Sequence, residues 1–238
     1  MSKYHGITEE TKVGKNGKTV HRLIALETFE NASITIEKGR LGGWVQNVES
    51  IHDNAWVYDN AELLDNAKMF DHTRIKDRSS MRDYTQIRDN AMMNSDSSMH
   101  NYASMWNYSS MWGTSIMRNS ATVAGTVSLW IDAEMAGEVY LNGAHVLSTG
   151  AYVTEELQVL SLKTHTSLDL GVTLYPTRDG EYRVKMGCWV GTIDGLEELF
   201  KKDDWVETEG QDVQDAREEM LYMVGMMRAR IKRNEARK

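Results

Sequence analysis

Arginine, histidine and aromatic side chains recur in this sequence at intervals of eighteen residues. The three sets are Arg82, His100 and Arg118; Phe70, Arg88 and Trp106; and Tyr58, Lys76, Trp112 and Trp130. A guanidinium group holds phosphate through paired hydrogen bonds, and an exposed aromatic ring stacks on a nucleobase. These residue types therefore predict a site for a phosphate-bearing, nucleotide-like molecule. The alternative is that they line the interface of a homotrimer or form a solvated face.

A six-residue repeat produces this spacing. Small residues recur at every sixth position, namely Ala55, Ala61, Ala67, Thr73, Ser79, Thr85, Ala91, Ser97, Ala103, Ser109, Ser115 and Ala121. Two positions after each comes an aliphatic residue, in a series that continues to Val159: Val57, Leu63, Met69, Ile75, Met81, Ile87, Met93, Met99, Met105, Met111, Met117, Val123, Leu129, Met135, Leu141, Leu147, Val153 and Val159. Because the phase never slips, we expect no inserted loop within the repeat.

A period of six suits a prism with three flat sides, each made of one short strand and one turn. Three hexads make one coil, so the repeat predicts a mainly β fold: a left-handed parallel β-helix of the hexapeptide type, with about six coils. Residues eighteen apart then lie on successive coils, roughly 5 Å from one another. This arrangement stacks each set of arginine and aromatic residues on one side of the solenoid.

Aspartate also recurs at intervals of six, from Asp53 to Asp89, and is often followed by asparagine. The spacing would fit a row of cation ligands or a mimic of DNA. Aspartate, asparagine and glycine are, however, the residues that tolerate left-handed backbone angles at sharp corners. We therefore predict that these aspartates form the corners of the solenoid, and that the many methionines are adaptable core residues rather than a ligand surface.

The segment Leu41-Gly42-Gly43-Trp44-Val45, followed by Asn54-Ala55-Trp56-Val57-Tyr58-Asp59-Asn60-Ala61, resembles a family of phage and prophage hexapeptide-repeat proteins. That family opens with Leu-Gly-Gly-Trp and continues with Tyr-Gly-Asn-Ala units, in which this chain often has Asp for Gly. The segment Gly187-Cys188-Trp189 is similar to the small module that often closes such chains. The resemblance implies a β-helical fold and a phage setting. The chain departs from the regular unit after His72.

The ends of the solenoid require covers, because an open end exposes an unpaired strand edge and the core. We predict an N-terminal strand cap over residues 1–50, the β-helix over 51–162 and an α+β module of a hairpin plus helices over 163–238. The hairpin turns at Arg178-Asp179-Gly180. A short helix capped by Asp194 and Glu197 ends near Lys201. A final helix from about Asp212 buries an apolar stripe against the solenoid or a second copy of the chain.

The composition narrows the classes of partner and compartment. The chain has 35 Asp and Glu and 27 Lys and Arg, which gives a net charge of −8. This charge disfavours a surface that as a whole binds nucleic acid or an anionic membrane. Cys188 is the single cysteine, and we expect it to be a small buried residue rather than a nucleophile. With no apparent signal peptide or apolar run of membrane-spanning length, a soluble cytoplasmic protein is expected.

The sequence favours a protein that is not an enzyme and needs no cofactor. Acyltransferases of similar fold use a loop histidine as general base, but the repeat has no such loop. His72, His100 and His145 lack the close paired spacing of a zinc site. His145 occupies a position of the small column, which indicates either a pocket or a locally widened coil with a satisfied histidine.

The prediction is a non-enzymatic phage-type binding protein, expected to be a homotrimer, that sequesters a nucleotide-like signalling molecule to counter a host defence. The candidate residues are Arg82, His100, Arg118, Arg88, Trp106, Trp112 and Trp130, on the solenoid faces or in grooves between subunits. One alternative is a scaffold or inhibitor that binds a host protein. A second is an acyltransferase relative, which analogy of fold alone suggests.

Overall fold

The fold was determined as a computed structural model that describes residues 3–164, 170–202 and 211–237. The chain opens with five strands, β1 (His5–Val13), β2 (Thr19–Ala25), β3 (Phe29–Asn31), β4 (Ile34–Ile36) and β5 (Leu41–Val45). β1, β2 and β5 pair in an antiparallel order, and β3 and β4 form a small hairpin. β5 then pairs in parallel with the first coils, so the N-terminal segment runs directly into the solenoid.

Seventeen short strands form the solenoid. They are β6 (Trp56–Val57), β7 (Glu62–Leu63), β8 (Lys68–Met69), β9 (Arg74–Ile75), β10 (Ser80–Met81), β11 (Gln86–Ile87), β12 (Met92–Met93), β13 (Ser98–Met99), β14 (Ser104–Met105), β15 (Ser110–Met111), β16 (Ile116–Met117), β17 (Thr122–Gly125), β18 (Ser128–Leu129), β19 (Glu134–Met135), β20 (Tyr140–Gly143), β21 (Val146–Leu147) and β22 (Tyr152–Val153). Each pairs in parallel with the strand three places along the chain. The predicted β-helix of about six turns is confirmed.

The strands lie in three sheets, which are the sides of the prism. The first side contains β7, β10, β13, β16, β19 and β22 and is continued by β5, β2 and β1. The second side contains β8, β11, β14, β17 and β20, and the third contains β6, β9, β12, β15, β18 and β21. Paired residues are eighteen apart, as in Ser80 with Ser98 and Met81 with Met99. The predicted absence of a phase shift is confirmed.

The core consists of the two inward columns predicted from the repeat. From Val57 to Val153, the aliphatic residues are 0–1 % exposed, and the small residues from Ala55 to Ala121 leave space for them. Eight methionines of the aliphatic column lie in this one cluster, which confirms their role as core residues. Burial of these columns removes apolar surface from water along the whole length of the rod.

The corners have the backbone angles predicted for aspartate. All seven residues from Asp53 to Asp89 have φ between 52° and 62°. Each carboxylate also accepts a hydrogen bond from the backbone N–H eighteen residues later, as Asp83 does from Asn101 at 2.7 Å. The corner interpretation is confirmed, because each carboxylate satisfies a donor of the next coil.

The N-terminal strands cover the first coil. Leu23, Phe29 and Ile36 join the solenoid core, and Trp56 lies fully buried. Gly42 and Gly43 approach this coil closely: a Cβ on Gly43 would lie 2.4 Å from Val57 Cγ1 and 2.6 Å from the Ala61 carbonyl oxygen. The two glycines of the Leu-Gly-Gly-Trp segment are therefore required by contact with the backbone of the first coil.

The C-terminal module contains strands β23 (Leu160–Lys163), β24 (Gly171–Pro176), β25 (Tyr182–Met186) and β26 (Trp189–Gly191), and helices α1 (Ile193–Lys201) and α2 (Gln211–Glu235). β24 and β25 form the predicted hairpin. α1 ends at Lys201 as predicted, but the predicted cap is wrong: Thr192 accepts from the Gly195 N–H, whereas Asp194 and Glu197 pair with Arg228 of α2.

Helix α2 buries its apolar stripe mainly within the C-terminal module, and its end also contacts the last part of the repeat, where Arg230 donates to the carbonyl oxygens of Leu157 and Val159. Met220, Val224 and Met227 are buried in a cluster with α1 and with Val172, Leu174 and Val184 of the sheet. The module thus has its own apolar core, because its sheet presents an apolar face that the sequence analysis did not assign to the helix. Within the described residues, no helix is long and apolar enough to span a membrane.

Candidate ligand-binding site

The first side of the solenoid carries Arg82, His100 and Arg118 on successive coils, as predicted. Arg82 Nε donates to His100 Nδ1 at 2.6 Å, and burial followed by the charge of Arg82 lowers the pKa of His100. Arg118 forms an ion pair with the buried carboxylate of Glu134 at 2.6 Å, and Arg178 binds the other oxygen of that carboxylate. The side chains of this column are thus engaged mainly with one another and with Glu134.

The second side carries Arg88 and Trp106. The Arg88 guanidinium lies 4.4 Å from the centre of the Phe70 ring and donates to Gln86. Trp106, on the next coil, is exposed. The second column therefore places the Arg88 guanidinium on the Phe70 ring, and none of its three residues lines the cavities described below.

The third side carries Trp112 and Trp130 on adjacent coils, and both are about equally exposed, at 40 % and 43 %. Their surroundings differ. Trp130 lies against the C-terminal sheet, where the ammonium of Lys185 is 5.7 Å from its ring centre. The seven predicted residues are therefore stacked as expected within each side but divided among three sides, and Trp130 alone of the seven lines a large cleft.

This cleft lies between the last coils of the solenoid and the C-terminal sheet and has a volume of about 630 Å³. Its polar and aromatic lining includes Trp130, His145, Ser161, Lys163, Thr173 and Lys185. Volumes of a few hundred to about 1,000 Å³ are typical of small-molecule sites, as is a mainly apolar wall with few polar groups. The cleft thus combines one aromatic face, two ammonium groups and hydroxyl groups in one open space.

Lys185 gives the cleft its clearest chemical character. The residue is only 8 % exposed, and its ammonium donates to the carbonyl oxygen of Gly187 and faces the Trp130 ring. Among the residues that the structure describes, no carboxylate forms an ion pair with Lys185. Buried charges in proteins are normally paired, since removal from water costs several kcal/mol. An anion in the cleft would supply the missing partner.

His145, Ser161 and Thr173 form a hydrogen-bonded chain along one wall. A carbonyl oxygen can only accept, so His145 Nε2 carries the proton that it donates to Asn142 at 3.1 Å. Burial lowers the pKa of His145, which leaves the ring neutral at pH 7 and Nδ1 free to accept from Ser161 Oγ at 2.8 Å. Ser161 Oγ can in turn accept from Thr173 Oγ1 at 2.8 Å.

Both sequence interpretations of His145 describe part of this arrangement. The ring is hydrogen-bonded through both nitrogens, and it also lines the cleft. The coil changes locally beside it, where β17 and β20 lengthen to four residues and Gly125 pairs with Gly143 in place of an aspartate corner. A histidine in the small column was therefore a usable signal for the cleft.

The residues that the sequence analysis missed come from the C-terminal module. Ser161 and Lys163 lie on β23, Thr173 on β24 and Lys185 on β25. The repeat contains no information about them, because they belong to irregular sequence that folds back onto the solenoid. The predicted burial of Cys188 is wrong: Gly187, with φ of 49°, and Cys188 form the two-residue turn between β25 and β26, and the thiol side chain is exposed.

Within residues 3–164, 170–202 and 211–237, no three His, Cys, Asp or Glu side chains form a group that could hold a metal ion. The lysine residues that line the cleft are Lys163 and Lys185. In comparisons with known proteins, neither a protein-family model nor a curated protein matches the chain.

Proposed function

We propose that this protein binds a small, phosphate-bearing aromatic molecule of the nucleotide class in the cleft between the solenoid and the C-terminal sheet. The observation that carries the proposal is the ammonium of Lys185, a residue that is only 8 % exposed. This ammonium faces the Trp130 ring and has no carboxylate partner among the described residues. In this arrangement the base stacks on Trp130, and the phosphate replaces the missing carboxylate at Lys185.

The wider role follows the resemblance to phage and prophage solenoids. In that setting, the protein sequesters a nucleotide signal of the host cell and so weakens a defence that depends on it. Sequestration requires tight binding but no turnover, and a cleft that contacts both the ring and the phosphate favours tight binding. The Arg82, His100 and Arg118 column is then a secondary surface, because Arg118 is neutralised by Glu134.

Calorimetric titration tests the binding with 5′-mononucleotides, cyclic dinucleotides, adenosine and inorganic phosphate as probes. At least one nucleotide is expected to bind more tightly than adenosine or phosphate alone, because it uses both halves of the cleft. Trp130→Ala is expected to weaken that binding by about 5- to 150-fold, the value of one base–aromatic stack.

Trp112→Ala is the matched control for this experiment. Trp112 lies one coil away on the same side, has nearly the same exposure and does not line the cleft. Its replacement is expected to leave nucleotide affinity unchanged. Equal losses in the two variants, or no binding of any probe by the folded protein, would remove the cleft from the proposal.

A second candidate function is protein binding through an exposed aromatic surface, which includes the predicted trimer and the predicted host-protein partner. Tyr84 and Tyr102 stack at 5.3 Å on one corner, and Trp106 and Tyr108 follow on the same coil as Tyr102. Tyr102 and Tyr108 are 62 % and 69 % exposed. Clustered tyrosine and tryptophan are typical of interfaces between proteins.

Light scattering after size-exclusion chromatography tests this second candidate, with a second copy of the chain as the partner. A trimer that dissociates in a Trp106→Glu, Tyr108→Glu double variant would assign the aromatic surface to self-association. A monomeric wild-type chain, or a trimer that persists in the variant, would exclude that interface.

A further inference from the structure

We propose that Ser161 and His145 form a nucleophile–base pair that hydrolyses small carboxylic esters bound in the cleft. Both side chains line the cleft, and Ser161 Oγ lies 2.8 Å from His145 Nδ1. This activity goes beyond ligand sequestration, and it does not depend on whether the cleft also binds a nucleotide.

The pair has the geometry that acyl chemistry requires. A serine hydroxyl becomes an effective nucleophile when a hydrogen-bonded base removes its proton, and the base must be held in the correct tautomer by a third group. The carbonyl oxygen of Asn142 is that third group, since it accepts from His145 Nε2 at 3.1 Å and leaves Nδ1 as the acceptor. Burial lowers the pKa of His145, which keeps the ring neutral and ready to accept a proton at pH 7.

The rest of the chain assists the nucleophile. Thr173 Oγ1 lies 2.8 Å from Ser161 Oγ, on the strand directly opposite, and itself accepts from the Val146 N–H at 3.3 Å. With that acceptor role filled, the Thr173 hydroxyl can donate to Ser161 Oγ and stabilise the negative charge that develops there. The ammonium of Lys185, in the same cleft, favours negative charge on the oxygen of a bound carbonyl group.

The reaction proceeds in two balanced stages. Ser161 Oγ forms a bond to the ester carbonyl carbon while its proton passes to His145 Nδ1; the bond from that carbon to the alcohol oxygen then breaks, and the alcohol leaves with the proton from His145. A water molecule next attacks the acyl carbon while His145 accepts its proton. The bond from that carbon to Ser161 Oγ then breaks, the proton passes from His145 to Ser161 Oγ, and the carboxylic acid leaves. No oxidant, reductant or metal ion takes part in these steps.

Covalent labelling with a fluorophosphonate tests the nucleophile. Attack by Ser161 forms an oxygen–phosphorus bond, fluoride leaves, and the hydroxyl proton passes to His145. Peptide mass spectrometry of the labelled wild-type chain is expected to place one adduct on Ser161. His145→Gln, which can still hydrogen-bond but does not act as a base at pH 7, is expected to slow labelling by about 100-fold or more.

Ser128→Ala is the matched control, because Ser128 is a solenoid serine whose hydroxyl bonds to Ser110 rather than to a histidine. It is expected to label at the wild-type rate. Turnover is measured separately with 4-nitrophenyl acetate, which is expected to give an initial release of about one nitrophenolate per chain that Ser161→Ala abolishes.

An unlabelled Ser161 in folded wild-type protein would overturn the inference, and so would an adduct that forms equally fast in His145→Gln. Circular dichroism spectra establish that each variant is folded. Nucleotide binding is tested with the Trp130→Ala variant, in which Ser161 and His145 are unchanged. The two proposals can therefore fail independently of each other.

Discussion

Each corner aspartate of the solenoid meets two local requirements. Its backbone adopts positive φ, which costs most side chains about 1–2 kcal/mol, and its carboxylate accepts the N–H of the residue eighteen positions later. Asparagine meets both requirements in the same column, since Asn101 has φ of 60° and accepts from the Asn119 N–H at 3.2 Å. The chain therefore changes from aspartate to asparagine without a change of fold.

A prediction at the scale of one residue follows for Asp83. Asp83→Ala is expected to lower the free energy of unfolding by about 2 kcal/mol, because the strained corner remains and the Asn101 N–H loses its acceptor. Asp83→Asn is expected to change it by less than about 1 kcal/mol. Urea denaturation measures the free energy of unfolding of both variants. Equal losses in Asp83→Ala and Asp83→Asn would show that neither the corner angle nor the hydrogen bond determines which residue is found at this corner.

Some residues of the candidate site could be identified from the sequence, and others could not. Trp130 was recognised because exposed positions of a regular repeat can be counted, and His145 because it interrupts a column of small residues. Lys185 has no such signal: its importance comes from its burial beside Trp130, which depends on where the hairpin lies. Cys188 was misjudged because the tight turn at Gly187 directs its side chain to solvent.

At the scale of elements, the solenoid and its first cap are held together by close backbone contact. Gly42 and Gly43 on β5 lie so near the first coil that no side chain fits, and β5 pairs with β7 there. The repeat predicted each coil from local pattern alone, because inward positions recur every six residues. The packing of α2 was not predictable in this way, since a helical stripe does not specify which apolar face covers it.

Replacement of Gly43 tests this contact. Gly43→Ala places a Cβ within 2.6 Å of the Ala61 carbonyl oxygen and is expected to cost about 1–3 kcal/mol of unfolding free energy, as overpacking does. Gly171→Ala is the control, because a Cβ on that β24 residue would meet no atom within 4 Å. Thermal denaturation compares the two, and a stable Gly43→Ala variant would contradict the role given to the Leu-Gly-Gly-Trp segment.

At the scale of the whole molecule, stability depends on a histidine buried where the cap meets the solenoid. His5 donates to the Ala55 carbonyl oxygen at 2.8 Å and stacks on Trp56, and burial lowers its pKa to about 4. The unfolded chain, with a histidine pKa near 6.5, binds more protons between these values. The stability that neutral His5 contributes is therefore fully present above about pH 6.5 and is lost as pH falls toward 4.

This linkage predicts a difference between wild type and His5→Gln. From pH 7 to pH 5 the wild-type chain is expected to lose roughly 2 kcal/mol more stability than the variant, which has no titrating group at this position. Urea denaturation at the two pH values measures this difference. The carboxylates are the same in both chains, so their effect on stability cancels in the comparison. Parallel loss in the two proteins would show that His5 titrates normally.

The most direct test of the central claim is nucleotide affinity in Lys185→Met, measured by calorimetry with the tightest mononucleotide of the panel. Methionine keeps the length of the side chain but removes the charge, so affinity is expected to fall by about 10- to 150-fold, the value of hydrogen bonds to a charged group. Stability is expected to fall by no more than about 1 kcal/mol, because the loss of the contacts to the Gly187 carbonyl oxygen and the Trp130 ring is offset by removal of a charge that has no described carboxylate partner. Lys76→Met, which removes an ammonium 4.7 Å from the Tyr58 ring on the same side, is the control and is expected to bind as wild type does. Unchanged affinity in Lys185→Met, or the same loss in Lys76→Met, would contradict binding at the cleft.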